Sequence, residues 1–334
     1  MRKYDRIDTV SLEAVAIGHK ALKALHKSGN EKEVHSVFDR AIYISNGGAE
    51  FIKVIQDKEF ISPMSILLGN SDDLTLSSIG AKKGTRVLFT ENSLITEDNA
   101  VSINLENARV WSRPKLGDKS PILSLEEVTL NLRIVRDVVY TCPSREGLVP
   151  LLENVELRGP MKVFLEPQEQ SVSEKARPYI EQLMWGLLSG DLGTISERAG
   201  SILGLGPGLT PSCDDFLAGL ILSLNFAGKA FFKNGEGPAG FFKKVAGEIF
   251  RLSKTKTTVY SRSLLSDARY GEGPEAAVNL IESILTDNPD KTARYARTLV
   301  NMGGTSGADM ATGIYYGVRF LISRVETEAL YEIA

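Results

Sequence analysis

Histidine and cysteine are scarce in this sequence. Among its 334 residues there are three histidines, all before residue 36, and two cysteines, Cys142 and Cys213. Two cysteines this far apart have neither the spacing of a disulfide framework nor that of a metal site. Most of the chain also lacks an imidazole for acid–base or metal chemistry. The sequence therefore predicts neither a disulfide-stapled fold nor a hydrolase built on a nucleophile–histidine pair.

Long apolar runs and an excess of charge of either sign are missing as well. The longest apolar stretch, residues 216–227, is too short to span a bilayer and contains Asn225. The first residues contain no apolar run of signal-peptide length. A formal net charge of −3 argues against a protein that binds nucleic acid by neutralising phosphates. We expect a soluble, cytoplasmic protein that acts on a small molecule, with no nucleic-acid or membrane partner.

Short β-like runs occupy the first third of the chain. Val101, Ile103 and Leu105 alternate with polar residues, a period of two that is typical of a half-buried strand. Several such runs separated by turns predict an antiparallel sheet or barrel between residues 34 and 111. A helix is predicted before it, over residues 12–26. Further strands are predicted at residues 50–55, 64–68 and 86–89.

Helical patterns predominate after residues 113–121, a stretch with proline and glycine that we interpret as a linker. Hydroxyl and carboxylate residues three apart, at 124–127 and 194–197, are typical of capping boxes at helix starts. The predicted fold class is α+β. A β-rich, barrel- or sandwich-like domain with an N-terminal helix covers residues 1–116. A larger domain of about seven to nine helices covers residues 117–334.

A glycine-rich loop followed by an apolar helix is the most distinctive feature of the helical region. Three glycines alternate with other residues over positions 204–208, and the loop also contains Pro207 and Pro211. The pattern places Ser212 as the N-cap of the next helix and Asp215 at its third position. A helix start after a glycine loop binds anions well, because its backbone N–H groups are unpaired. A loop that only turns the chain into a capping box is the alternative. The candidate anion-binding residues are Gly204, Gly206, Gly208, Thr210 and Ser212.

The same pattern recurs 94 residues later. Ser212, Asp215 and Gly219 of the first copy correspond to three residues of the second copy, namely Ser306, Asp309 and Gly313. An internal helix–loop–helix repeat predicts two similar units whose helix N-termini face one site. The loops around Gly208 and Gly304 should then line one pocket for a small anion, a carboxylate or a phosphate. The second copy adds the candidate binding residues Gly304, Thr305, Ser306 and Asp309.

A third hydroxyl-rich stretch lies between the two copies. On a helix Thr258 and Ser261 share one face, and Arg262 could clamp a carboxylate or phosphate. A capped helix with exposed polar side chains is the alternative, which spacing alone favours. At the first loop, Asp214 and Asp215 either hold Mg²⁺ with water and substrate oxygens or only stabilise the helix dipole. Thr258 and Ser261 are further candidate binding residues.

The run at residues 204–219 resembles the signature of the AllH-like family, once a domain of unknown function and now linked to a subunit of oxamate carbamoyltransferase. Residues 257–261 and 304–309 occur in the order that the family shows. Residues 34–38 and 62–63 resemble its N-terminal half more loosely. The family usually has glycine where Cys213 stands. If that glycine is needed for close backbone approach, Cys213 narrows or alters the site.

The resemblance implies a subunit that works with FdrA-like and AllG-like partners in anaerobic purine (allantoin) breakdown. The implied reaction is phosphorolysis of oxalurate to oxamate and carbamoyl phosphate. Asp214 and Asp215 are the candidate catalytic residues, orienting a substrate amide or a metal. No cofactor is required, and Mg²⁺ stays open. The alternative is a non-catalytic subunit for anion binding or assembly, which the shortage of histidine favours, whereas two converging loops of donors favour the enzyme.

Overall fold

The structure of the protein is a computed structural model that describes residues 9–27, 32–46, 51–69, 74–113, 116, 121–143, 146–153, 171–232 and 238–333. The chain divides into two compact units, Met1–Arg113 and Pro114–Ala334. The first is a β-rich unit and the second is helical, which confirms the predicted α+β class. Most of the predicted linker, residues 113–121, lies outside the described residues.

The first unit is a nearly closed, barrel-like sheet. Its strands follow the order β2-β3-β4-β5-β1-β8-β7-β6, and β9 pairs with β1. A bridge between Glu33 and Arg86 joins the two ends of this path. The strands in the described residues are β1 (Val10–Gly18), β2 (Lys32–Val37), β3 (Ala41–Asn46), β4 (Phe51–Ile55), β5 (Ser65–Leu68), β6 (Val87–Phe89), β7 (Ser93–Thr96), β8 (Val101–Asn104) and β9 (Arg109–Trp111).

Alternation along the strands builds the core of this unit. In β8 the side chains of Val101 and Ile103 are buried and their polar neighbours are not, as predicted. The prediction of an antiparallel sheet is wrong in part, because β1 runs parallel to β8 and β9, and β4 runs parallel to β5. The central strand β1 thus pairs on both sides and places Ala16 and Ile17 in the core.

The predicted helix over residues 12–26 is wrong in its first half. Residues Val10–Gly18 form strand β1, and only His19–His26 form a helix, α1. A short apolar run such as residues 14–17 fits either period, so pairing with neighbouring strands decides its structure. The backbone N–H groups of Lys20 and Ala21 both donate to the carbonyl of Pro63, which holds the start of α1 against the loop before β5.

The second unit contains ten α-helices in its described residues, slightly more than predicted because α6 is only one turn long. Among the described residues, none of the helices could span a lipid bilayer. The helices are α2 (Leu125–Tyr140), α3 (Val172–Ser189), α4 (Leu192–Ile202), α5 (Ser212–Phe226), α6 (Gly228–Phe231), α7 (Pro238–Lys256), α8 (Val259–Ala268), α9 (Glu275–Thr286), α10 (Pro289–Val300) and α11 (Ser306–Ile333).

Local capping explains where several helices begin. Ser124 and Glu127 form the predicted capping box at the start of α2. The predicted box at residues 194–197 is wrong, because the N-cap of α4 is Asp191, three residues before Thr194. There the Asp191 carboxylate accepts hydrogen bonds from the backbone N–H groups of Gly193 and Thr194. An aspartate N-cap accepts hydrogen bonds from the same free N–H groups. Its negative charge also interacts favourably with the positive N-terminal end of the helix dipole.

The helices α5 and α11 cross in direct backbone contact at the centre of the unit. All 15 residues of α5 are buried. A Cβ built on Gly219 would lie 3.0 Å from the backbone nitrogen of Ile314, and one on Gly313 would lie 3.0 Å from that of Leu220. The 94-residue offset of the repeat converts each of these two contacts into the other. The crossing therefore has a local pseudo-twofold axis. Only glycine at both positions lets the two helices approach this closely.

Candidate functional site

The first glycine loop turns the chain sharply from α4 into α5. Gly204, Gly206 and Gly208 all have positive φ, at 81°, 122° and 93°. A Cβ on Gly206 would lie 2.6 Å from the backbone nitrogen of Ser212, so this position needs glycine for two independent reasons. The predicted helix start is wrong by one residue. Pro211 is the N-cap, Ser212 is the first residue of α5, and Asp215 is therefore the fourth.

The second glycine loop enters α11 in the same way. Ser306 is the first residue of α11 and Asp309 is the fourth, as in α5. The backbone N–H of Asp309 donates to Thr305 at 2.9 Å, just as that of Asp215 donates to Pro211 at 3.2 Å. The repeat predicted from the sequence thus places equivalent residues at equivalent helix positions.

The two loops meet through side-chain hydroxyls, as the repeat predicts. Thr210 Oγ1 lies 3.0 Å from Ser306 Oγ, a contact between residues that are 96 positions apart. Thr210 also donates to Asp215 Oδ2 at 3.0 Å. Ser306 of the second copy is therefore close to Asp215 of the first, and its hydroxyl only partly offsets the desolvation that raises the pKa of that carboxyl.

A second pair joins the serine of the first copy to the aspartate of the second. Ser212 of the first copy lies near Asp309 of the second, and its hydroxyl only partly offsets the desolvation that raises the pKa of that carboxyl. The hydroxyl of Thr305, the residue before α11, also lies close to the Asp309 carboxyl. We call these two arrangements the crossed Ser–Asp pairs, Ser306 with Asp215 and Ser212 with Asp309.

A segment that the sequence reasoning missed orients Asp309. The backbone N–H of Leu148 donates to Asp309 Oδ1 at 2.6 Å. A Cβ on Gly147 would lie 2.7 Å from Asp309 Cγ, so glycine is needed for the carboxylate to reach this backbone. The segment precedes the short 3-10 helix Val149–Leu152. No sequence motif marks it, because the contact uses a backbone donor.

Asp214 connects the first loop to α8. Its carboxylate accepts a hydrogen bond from the Gly204 N–H at 2.8 Å and another from the Thr257 hydroxyl. The Ser261 hydroxyl contributes a third hydrogen bond, and the three together only partly offset the desolvation that raises the pKa of Asp214. Thr258 caps α8 through the Ser261 N–H, as the capped-helix alternative predicts, but the Ser261 side chain is buried and not exposed. The Thr258 hydroxyl also donates to a loop carbonyl, that of Leu209, at 2.7 Å. The third hydroxyl-rich stretch therefore packs against the first loop.

Burial dominates the electrostatics of this region. The side chains of Asp214, Asp215 and Asp309 are at most 1% exposed. Desolvation raises the pKa of all three carboxyls, most strongly that of Asp215, and the surrounding hydroxyls only partly offset it. Desolvation, followed by the nearby Asp214 and Asp309 carboxylates, also raises the pKa of the buried Cys213 thiol. Cys213 is thus an inert thiol, although it lies at a helix N-terminus.

The carboxylates of Asp214 and Asp215 do not fit a shared Mg²⁺ site. The Asp214 carboxylate bonds to Gly204 and Thr257, whereas Asp215 bonds to Thr210 of the loop. Within the described residues, no group of three His, Cys, Asp or Glu side chains is arranged to hold a metal ion. Mg²⁺ prefers an octahedral set of oxygen ligands, which adjacent carboxylates with separate partners do not provide.

Backbone donors at the surface of both loops are free. In the part of the chain that the structure describes, the N–H groups of Gly208, Leu209, Gly303 and Gly304 donate no hydrogen bond. All four residues are exposed. Arg262 is half-buried on α8, and its Nε is buried without a hydrogen-bond partner. The loops thus present unpaired N–H groups outwards and buried carboxylates inwards.

Family models match both units of the chain. The model described as oxamate carbamoyltransferase subunit AllH matches residues 202–318, which include both glycine loops. The model described as AllH family N-terminal domain matches residues 13–110. The chain belongs to the AllH family, as its resemblance to that family predicts. The family is that of a subunit, which implies partner chains. No solved structure matches the chain.

Proposed function

We propose that the chain is a carbamoyltransferase subunit in which the two glycine loops bind a small anionic substrate. The observation that carries this proposal is the pair of loops with unpaired N–H groups, Gly208–Leu209 and Gly303–Gly304, beside two helix N-termini that meet. Such N–H groups bind carboxylate and phosphate, and the helix dipoles add to this attraction. Membership in the AllH family supplies the reaction class.

The reaction that this proposal assigns is phosphorolysis of oxalurate. A phosphate oxygen attacks the terminal ureido carbonyl, the C–N bond to the oxamate portion breaks, and that nitrogen takes up the proton that phosphate releases. The products are carbamoyl phosphate and oxamate. Both reactants are anions, so N–H donors that position them and stabilise developing negative charge lower the barrier. No covalent intermediate on the protein is needed.

The buried aspartates act in this proposal mainly by positioning the loops. Asp214 links Gly204 to Thr257, and Asp215 links Thr210 to the loop of Ser306. The catalytic role predicted for both aspartates stays a prediction. Raised pKa values would also reduce repulsion of an anion, because a carboxyl that holds its proton carries no charge.

We further propose that the chain acts in the cytoplasm, in anaerobic allantoin breakdown, with FdrA-like and AllG-like subunits. A subunit that binds the anion while a partner carries the reacting groups is the second candidate. The specific observation in its favour is the lack of imidazole after residue 36, together with the burial of Asp214, Asp215 and Asp309. None of these groups is exposed to act as a general base.

The test is phosphate-dependent breakdown of oxalurate by the chain alone and with partner subunits, alongside calorimetric binding of phosphate and oxamate. Thr210→Ala and Ser212→Ala should weaken binding at least tenfold and leave the fold intact. Ser124→Ala is the matched control, because it removes a cap worth about 1 kcal/mol far from the loops. Activity only with partners supports the second candidate. Unchanged binding in both loop variants contradicts the proposed site.

A further inference from the structure

Most of α8 is buried, and its accessible side chains form one narrow stripe. Beyond its first two residues, Val259 and Tyr260, the helix is buried except at Arg262 and Ser266. Arg269, the C-cap, continues this line, because residues spaced four and three apart lie on one face of a helix. We call Arg262, Ser266 and Arg269 the α8 stripe. It consists of two guanidinium groups with a hydroxyl between them.

Neither arginine of the α8 stripe has an acidic partner. Within the residues that the structure describes, no carboxylate pairs with Arg262 or Arg269, and neither guanidinium donates a hydrogen bond. The Nε atom of each is buried, whereas the Nη groups are not. A half-buried charge without a partner is costly, because it has lost part of its hydration and gained no ion pair. The Nη groups are therefore open to a partner from outside the chain.

Aromatic rings hold the guanidinium of Arg269 in place. Its Cζ atom lies 4.0 Å from the ring centroid of Phe250 on α7 and 4.6 Å from that of Tyr270. Lys254 Nζ lies 5.8 Å from the same Phe250 ring and adds a third positive charge. Tyr270 is 56% exposed. Stacking fixes the plane of a guanidinium before it binds, and arginine and tyrosine are among the residue types that contribute most at protein interfaces.

The length of the α8 stripe distinguishes a protein segment from a small anion. Arg262 and Arg269 are about 10 Å apart along the helix axis, at about 1.5 Å per residue. Thr258, which donates to the first glycine loop at Leu209, is about 16 Å from Arg269 by the same measure. A small anion bound at the loop does not span this distance, whereas a chain segment does. Two carboxylates about 10 Å apart correspond to positions i and i+3 of an extended segment or i and i+7 of a helix.

We propose that the α8 stripe is a docking surface for an acidic segment of a partner subunit, with one carboxylate on each arginine. The family is that of a subunit, which implies partner chains, and the unpaired positive charge defines the chemistry of the segment. Arginine pairs with carboxylates through two parallel hydrogen bonds, which fixes the register of the segment. Because α8 begins at the first glycine loop, a subunit docked here lies beside the proposed anion site. This inference goes beyond the proposed function and takes from it only the subunits used in the test.

Charge reversal tests the docking surface. The assay is association of the full chain with the FdrA-like and AllG-like subunits, measured by biolayer interferometry. Arg262→Glu and Arg269→Glu should each weaken association by about tenfold or more. The loss should shrink as salt is added, because ions screen charges at a surface. Arg294→Glu is the matched control, since it makes the same charge change at an exposed position of α10 and should bind as the wild type does.

A cross-link identifies the occupant directly. Ser266→Cys places a thiol in the middle of the α8 stripe, and the two natural cysteines, Cys142 and Cys213, are buried. Benzophenone maleimide attached to the new thiol should cross-link on illumination to a partner segment with two acidic residues three or seven positions apart, which mass spectrometry would identify. The same label on Arg294→Cys should not capture this segment.

The outcomes separate this inference from the proposed function. Unchanged association of both Glu variants of the stripe, an equal loss in Arg294→Glu, or a captured segment without acidic residues overturns the docking surface and leaves the anion site standing. It is also overturned if Arg269→Glu weakens phosphate binding in calorimetry and leaves association intact, because the stripe then serves the small anion. A wild-type chain that binds neither subunit overturns the proposed partners together with this inference, and phosphate binding still tests the anion site.

Discussion

The crossing of α5 and α11 makes a quantitative prediction about stability. Gly313→Ala would place a methyl group 2.8 Å from the carbonyl carbon of Phe216, closer than real Cβ atoms approach. The obstacle is helix backbone, which cannot rotate away as a side chain can. Overpacking typically costs about 1–3 kcal/mol, and a backbone obstacle belongs at the upper end. Alanine regains about 1 kcal/mol of helix propensity, so a net loss of about 2 kcal/mol is expected.

The local pseudo-twofold axis extends this prediction to Gly219→Ala, which should cost nearly the same. The double variant should cost less than the two single losses together, because one separation of the helices relieves both methyl groups. The matched control is Gly247→Ala on the exposed side of α7, where added bulk meets no atom within 4 Å. This control should be more stable than wild type by up to about 1 kcal/mol.

The assay is thermal and urea unfolding followed by helical circular dichroism. For a helical unit of this size, a loss of about 2 kcal/mol corresponds to a melting temperature lower by roughly 4–8 °C. If Gly219→Ala and Gly313→Ala have the same melting temperature as the wild type, the close approach of the two helices is wrong. Unequal losses would refute the pseudo-twofold relation while leaving the contact itself in place.

Three further predictions concern single residues of the helical unit. Because burial raises the pKa of Asp215, the wild type should lose stability relative to Asp215→Asn as the pH rises from about 4 through the folded pKa; a difference in melting temperature that stays constant from pH 4 to 8 contradicts this. Iodoacetamide should leave Cys213 unmodified in the folded protein at pH 8 and modify it in urea, as mass spectrometry would show. Gly190→Ala should lower stability by about 1 kcal/mol in urea unfolding, because the residue ends α3 with a φ of 72°.

The parts of the fold that follow from local patterns were predictable from the sequence. The alternation at Val101 and Ile103 and the capping box at Ser124 depend on neighbours within a few residues. The pattern of residues 12–18 predicts a helix because its apolar run fits both periods, and only the pairing of β1 with three other strands shows that the segment is a strand. Tertiary pairing of this kind leaves little trace in a single sequence.

The part of the candidate site that the internal repeat forms was predictable from the sequence. The shared Ser–x–x–Asp spacing predicts that the two loops line one pocket; Thr210 and Ser306 are in contact, and the pocket stays a prediction. The partner of Asp309 was not predictable, because the donor is the backbone N–H of Leu148, 161 residues away. A backbone donor has no residue type of its own, so it leaves no sequence signal. Asp214 likewise needed the structure to show that it bonds to Thr257.

The crossed Ser–Asp pairs also constrain the order in which the molecule can be built. Each pair joins one residue of α5 to one of α11, so neither exists until both helices are present. During synthesis, α5 leaves the ribosome long before α11, so its apolar residues and the polar side chains of Ser212, Asp214 and Asp215 are not yet covered by α11. Contacts this distant in sequence must first overcome the entropy of closing a long loop. The site therefore arises late in folding, and a chaperone or partner that covers α5 in the interval would act on the same surface that α11 later occupies.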